Sequence, residues 1–256
     1  MKLAKSTQER LLTIASPVGI LLIWQILSNA GVIDARYVPS PVQIFRSGWD
    51  LLLSGELLTH TAVSLYRLVI GFALGAIPGI LIGMLMGLNR FVRAILDPLI
   101  AAICPVPKIA ILPLLMLMFG IGDGSKIAVV AVAVFFLVAI NTTVGVMGID
   151  RIYLDVAKNY NTPWLKLFRR VILPGALPTI FAGLRISLGV AFIVLVGAEF
   201  VASRAGIGYL IWTSWQTLVI ENMFVGIIVI TILGLVASFI LREIERFLIP
   251  WRRHDH

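Results

Sequence analysis

A helix that crosses a bilayer needs about 20 mostly apolar residues. Six stretches of this chain meet that need: 11–30, 61–88, 96–119, 126–148, 178–201 and 222–241. Charged residues are 13% of the chain, against about 25% in an ordinary soluble domain, and 59% of residues are apolar. The sequence therefore predicts an all-α polytopic membrane protein with six transmembrane helices. The net charge of +8 invites a nucleic-acid reading, but its placement argues against one. Lys2, Lys5 and Arg10 precede the first run, and Arg90 and Arg93 follow the second. Arg151, Lys158, Lys166, Arg169 and Arg170 follow the fourth, and Arg242, Arg246, Arg252 and Arg253 follow the sixth. The alternate segments hold only Arg36, Arg46, Lys126 and Arg204, and Arg67, Lys108 and Arg185 lie within runs. Such a bias orients an inner-membrane protein with both termini in the cytoplasm, and no nucleic-acid partner is expected.

The first run has a rival reading as a cleavable signal peptide, because Ser28-Asn29-Ala30 could pass for a cleavage site. Its length and the late Trp24 and Gln25 favour a retained anchor. Pro39-Ser40-Pro41 then opens a helix, with Ser as its cap and Pro in its first turn. Val42, Phe45, Trp49 and Leu52 recur at spacings of three and four, which suits an amphipathic helix on the outer membrane surface or one packed on the ends of the bundle. Residues 1–60 thus read as an anchor helix plus a periplasmic amphipathic helix, and 61–249 as a transmembrane core.

Gly71, Gly75, Gly79, Gly83 and Gly87 fall at every fourth position of the second run. Small residues at that spacing let helix backbones approach closely in lipid, either as static packing or as a contact that slides during gating. The third run is interrupted by Pro105, Pro107 and Pro113, and backbone freed by proline inside a membrane faces protein or a cavity. Lys108 in that run, and Arg185 and Glu199 in the fifth, are ionisable groups at membrane depth, which generally mark a pathway or an ion pair. Two readings stay open for the cations: contact with an anionic solute, or pairing with Glu199 or backbone carbonyls. The single cysteine, Cys104, excludes an intrachain disulfide, and His60, His254 and His256 lack metal-ligand spacing. No metal site is expected.

The longest polar interruption after residue 60 is 155–174, DVAKNYNTPWLKLFRRVILP. It reads as two short helices, the first over 155–160. Asn161 stands at the left-handed joint, where Asn is second choice after Gly. Thr162 is placed to cap the second helix and Pro163 to open it, with Pro174 at its end. Trp164, Leu165, Leu167 and Phe168 give that helix an apolar side, and Lys166, Arg169 and Arg170 a basic one.

This segment resembles the coupling loop of ABC importer permeases, whose pattern is Glu-Ala-Ala, three residues, Gly, nine residues, then Ile-x-Leu-Pro. The matching positions are Asp155-Val156-Ala157, Asn161 and Val171-Ile172-Leu173-Pro174. Further stretches resemble the nitrate/sulfonate/taurine group of these permeases: His60 to Gly71, Pro105-Val106-Pro107 with Leu112-Pro113, Pro174 to Pro178, Gly183-Leu184-Arg185, Ala198-Glu199 and Gly206 to Tyr209. The resemblance implies a type I ABC importer permease fold, with the cytoplasmic loop at 151–174 coupling to an ATPase through Asp155, Ala157, Asn161, Trp164, Leu165, Leu167, Phe168 and Pro174. It also implies a second copy of the chain, two ATP-binding cassette ATPase subunits and a periplasmic or lipid-anchored substrate-binding protein as partners, besides membrane lipid.

No G-x-x-x-x-G-K-[ST] phosphate loop occurs in the sequence, so ATP and Mg are expected on the partner ATPase and no catalytic residue or cofactor on this chain. The solute implied is a small anion, taurine or another organic sulfonate, with nitrate or bicarbonate as alternatives. An ATP-independent secondary transporter would usually show paired broken helices in repeated halves, whereas here the third run is interrupted and the sixth is not. An intramembrane enzyme would need a catalytic constellation that Glu199 alone does not make.

Overall fold

The structure, a computed structural model, describes residues 2–252. Arg253, His254 and His256, invoked above, lie outside the described residues, as do the side chains of Lys2, Lys5 and Arg10. Among the described residues the regular elements are all helical. In order it forms α1 (Lys2–Asn29), α2 (Pro41–Leu53), α3 (Glu56–Leu88), α4 (Arg90–Ile103), α5 (Leu112–Phe119) and α6 (Asp123–Met147). Two short helices, α7 (Arg151–Asn159) and α8 (Trp164–Leu167), precede α9 (Leu173–Ala202), α10 (Ile207–Gln216) and α11 (Ile220–Leu248). Among the described residues, α3, α6, the stretch Trp164–Val201 and α11 are long and apolar enough to cross a membrane. The third run is bent through 90° between Arg90–Ile103 and Lys108–Phe119, and counts as a fifth crossing if taken as one span. The described apolar part of α1, Ala15–Asn29, is shorter than a span.

The core is α6, held between α3 and α9. Its side toward α3 is a ladder in which each glycine of the stripe opens a notch for one side chain of α6. A Cβ on Gly71 would lie 2.8 Å from Val130 Cβ, on Gly75 2.8 Å from Val134 Cβ and on Gly79 3.0 Å from Val138 Cβ. The same atom on Gly83 would lie 2.6 Å from Thr142 Cβ, and on Gly87 2.5 Å from Val146 Cβ. Both sequences advance by four from rung to rung, so α3 and α6 run in the same direction. Thr143 Oγ1 reaches across the ladder to the Gly83 carbonyl at 3.2 Å. On the other side of α6, Gly145 abuts Thr179 and Gly183 abuts Asn141, an antiparallel pairing with α9. Val130, Val134, Val138 and Val146 are buried with Ile172, Ala176, Ile180 and Leu195 in one apolar cluster.

Two sequence expectations need correction, and one of the two readings of α2 gains support. The stripe Val42, Phe45, Trp49 and Leu52 is exposed, as a helix lying on the membrane surface requires. Ser40 and Gln43 cap the helix reciprocally as expected, and Ile44 and Leu51 are the buried residues, clustered with Leu210 and Val225. The helix packs on the bundle with one face and leaves a second apolar face outward. The segment 202–218, an outer loop by its place between the fifth and sixth runs, is largely helix: α10 buries Ile207 and Leu210, seats Ile211 against Gly226 and stacks Trp212 on Phe200 at 5.5 Å. Lys126, counted with the outer segments although it opens the fourth run, is buried within α6, its ammonium donating to the Ile121 carbonyl.

Because both atoms nearest a Cβ at Gly83 belong to backbone or to a branched carbon, Gly83→Val cannot fit without separating the helices. It should destabilise the protein by ~1–3 kcal/mol and lower the thermal midpoint in detergent. Gly189→Ala, where a Cβ meets nothing within 4 Å, should leave the midpoint unchanged or raise it. Equal midpoints for the two variants would contradict the ladder.

Candidate functional site

The interruption between α6 and α9 forms two short helices at one end of the bundle. Asp150 Oδ1 caps α7 by accepting from Ile152 N at 2.9 Å; this helix begins at Arg151, earlier than the sequence suggested. Asn161 has φ 48°, and two bonds close the joint around it. Asn161 N donates to the Lys158 carbonyl at 3.0 Å and Thr162 N to the Ala157 carbonyl at 2.9 Å, the paired bonds of a Schellman ending. Ala157 is buried beneath the joint.

The second helix differs from expectation at both ends. Thr162 does not cap it: Pro163 takes the cap position without a side-chain bond, and its carbonyl accepts from Lys166 N and Leu167 N. Nor does Pro174 end it. Residues Phe168–Ile172 form a wide π turn in which Leu173 N reaches back to the Phe168 carbonyl. Pro174 falls in the first turn of α9, and the helix passes into the membrane span. Widening the turn removes the clash that proline makes with the carbonyl four residues before it.

The apolar residues of the loop divide. Leu167 and Phe168 are half-buried against the main core, while Trp164 and Leu165 are each 60% exposed. Trp164 lies 6.5 Å from the Phe168 ring. The exposed set continues onto α7 with Ile152, Tyr153 and Val156, and onto Tyr160 just past its end, the last 82% exposed. Sequence reasoning missed these four, although spacings of three and four between 153, 156 and 160 carry the signal. Asp155 is exposed on the same helix.

At the opposite end of the bundle, where α3 and α6 begin and α9 ends, Arg67 holds a buried polar cluster. Its Nη1 donates to Glu199 Oε1 at 2.7 Å, to Ser203 Oγ at 3.0 Å and to the Ala205 carbonyl at 2.7 Å. Its Nε donates to Asp123 Oδ1 at 2.8 Å, with Nη2 2.6 Å from the same oxygen. Glu199 also accepts from Ser64 Oγ and from Gly208 N at 2.8 Å. Ser64 Oγ in turn accepts from Ile207 N, and His60 Nδ1 accepts from Gly206 N at 3.0 Å. Gly206 has φ 121°, and a Cβ there would strike the Glu199 carboxylate. Three separated stretches, 60–71, 198–199 and 206–209, thus meet in one cluster. Arg67 was the residue sequence reasoning passed over; a cation and an acid both inside apolar runs was the available sign.

The pathway residues taken from sequence do not come together. Glu199 pairs with Arg67. Lys108 Nζ donates to the carbonyls of Ile103, Cys104 and Val106, at 2.7, 3.0 and 3.0 Å, where the third run is broken, and lies 4.8 Å from the Phe136 ring centroid. Arg185 pairs with Glu245 of α11 at the loop end. No group of three metal-ligating side chains occurs among the described residues.

Glycine notches on α3 against the parallel α6, a broken span and a two-helix loop describe a polytopic membrane protein. The family model for binding-protein-dependent transport system inner membrane components matches residues 79–254, and the chain belongs to that family. It is 40% identical to the putative aliphatic sulfonates transport permease protein SsuC of Bacillus subtilis (strain 168), over 92% of this chain and 86% of that one. It is 34% identical to the taurine transport system permease protein TauC of Escherichia coli (strain K12), over 94% and 89%. Identity is also 34% to the bicarbonate transport system permease protein CmpB of Synechococcus elongatus, over 93% and 89%. Among solved structures, a chain of an amino acid ABC transporter with histidines superposes with a TM-score of 0.58 at 16% identity, covering 78% of this chain and 95% of that one. A chain of the inward-facing MetNI methionine ABC transporter gives 0.53 at 19%, covering 82% and 98%. These two likenesses establish the fold, that of a type I ABC importer permease.

Removing Arg67 leaves Glu199 as a buried carboxylate without its cation. Arg67→Met should destabilise by ~3–5 kcal/mol, and pairing it with Glu199→Gln should recover part of the loss. A double mutant no more stable than Arg67→Met, measured by thermal unfolding in detergent, would contradict the assignment.

Proposed function

We propose that this chain is the inner-membrane permease subunit of an ATP-driven importer for a small anionic solute, an organic sulfonate such as taurine. It would work as a homodimer with two ATP-binding cassette subunits, which carry ATP and Mg, and with a substrate-binding protein outside the membrane. The observation that carries this reading is the loop at 151–172. A rigid two-helix knuckle presents Tyr153, Tyr160, Trp164 and Leu165 to its surroundings and continues into α9 without a break in the helix, so force applied to the knuckle reaches a membrane span. On the orientation given by the charge bias, the knuckle lies in the cytoplasm and the Arg67 cluster at the outer face. An ATPase dimer with two states drives such a lever only through different contacts in each state.

The sulfonate assignment rests on relatives whose names give aliphatic sulfonates and taurine as their solutes. A bicarbonate permease of equal identity to the taurine one keeps bicarbonate as the second reading. Lys108 and Arg185 remain candidates for the solute pathway through their charge, but their partners in the structure favour structural roles: one caps a broken span and the other ties α9 to α11.

Replacing Trp164 and Leu165 together with Glu should release the ATPase subunits from the purified complex while the permease still inserts; retained substrate-stimulated ATP hydrolysis would contradict the docking role. Uptake of radiolabelled taurine should compete with excess alkanesulfonate and not with bicarbonate. The reverse pattern would select the bicarbonate reading. Lys108→Met leaves three carbonyls of the broken span without their donor and should lower the thermal midpoint in detergent; an unchanged midpoint with lower uptake would return the ammonium to the solute pathway.

A further inference from the structure

The C-terminal end of the chain returns to the base of the loop. Along α11 only Val225 and Gly226, near its far end, are fully buried, while α2, α9 and α10 pack along one side of the helix. Two contacts tie its other end to the bundle at the base of the loop. Arg185 of α9 pairs with Glu245, and Leu241 is half-buried against the main core. Pro250 then stops the helix, since the residue before a proline is pushed out of the helical region. Ile249 accordingly has φ −124° and ψ 60°. Its side chain is 2% exposed and belongs to the cluster that holds Val146, Ile172 and Ala176, with Ile149, Leu167, Phe168 and Leu173 packed against it. A short 3-10 turn follows, and Trp251 stands 53% exposed at the edge of a cleft of ≈ 680 Å³. The rest of that cleft is lined by the entry to the loop, Gly148, Ile149, Asp150 and Tyr153, and by its exit, Arg170, Val171, Pro174 and Gly175.

We propose that the turn Ile249–Trp251 is a positioning device for the coupling loop. Ile249 locks the end of α11 into the apolar base from which the loop rises, and Trp251 props the cleft between the loop's two roots. The turn sets the angle at which the knuckle leaves α6 and α9, and it makes α11 follow the loop when the loop moves. Neither residue belongs to the exposed docking face, so their part in transport is exerted through the loop.

The proposal rests on the importer reading, and its test has one arm that does not. In inside-out vesicles, Ile249→Ser and Trp251→Ala should speed tryptic cleavage at Lys158, Lys166, Arg169 and Arg170, and Trp251→Phe should restore the wild-type rate. Unchanged cleavage in both variants overturns the proposal whatever the chain transports. In the reconstituted complex with its ATPase and binding protein, the solute moved per ATP hydrolysed should fall by about threefold in Trp251→Ala, with ATPase subunits still co-purifying. A parallel fall in uptake and hydrolysis at constant ratio, or no fall, overturns it. A wild-type complex that hydrolyses ATP without moving solute would fault the importer reading and leave the cleavage result to decide the role of the turn.

Discussion

Everything in this molecule depends on how closely α3 and α6 approach. In lipid the hydrophobic effect does not drive one apolar helix against another, so van der Waals contact over a long interface must do so. Five glycines on α3 let the branched residues of α6 sit against its backbone through about four turns, and each notch is specific to one side chain. Small residues on α3 opposite bulky ones on α6 fix a register as well as a distance, because a shift by less than a full turn sets a valine against a backbone with no room for it. The sliding contact suggested by the stripe alone is therefore disfavoured relative to a fixed one.

The Arg67 cluster adds a second constraint at one end of the same three helices. Glu199 and Arg67 are both buried, and a pair taken out of water is tolerable only when its remaining hydrogen-bonding capacity is met. Here the requirement is filled by Ser64, Ser203, the Ala205 carbonyl and the amide of Gly208. The cluster gains little stability from charge alone, but it specifies geometry: α3, α6, α9 and the segment leading into α10 meet in only one arrangement that satisfies every group. The loop sits at the other end of these helices, separated from the cluster by the length of the ladder.

Much of this was legible from residue order. The apolar runs after the first, the glycine period, the prolines of the third run and the left-handed Asn161 each follow from one-dimensional rules, and each has its counterpart in the structure. What failed did so where a neighbour decides the outcome. Pro174 reads as a stop, yet a π turn just before it lets the helix continue. Thr162 reads as a cap, yet the Schellman bonds use its amide and Pro163 takes the cap position. Arg67, Ser64 and His60 lie far in sequence from Glu199 and Gly206, and nothing local announces that they meet. Family motifs marked those stretches without giving the reason, which is the shared carboxylate of Glu199.

The central claim is that a chain without a nucleotide site receives its motion through the exposed knuckle between α6 and α9. A photo-crosslinking amino acid in place of Tyr160, the most exposed aromatic of that knuckle, tests it most directly in the assembled complex. The account predicts a crosslink to the ATP-binding cassette subunit whose yield changes when ATP is trapped in the dimer. Crosslinking to lipid alone, or a yield indifferent to nucleotide, would contradict it.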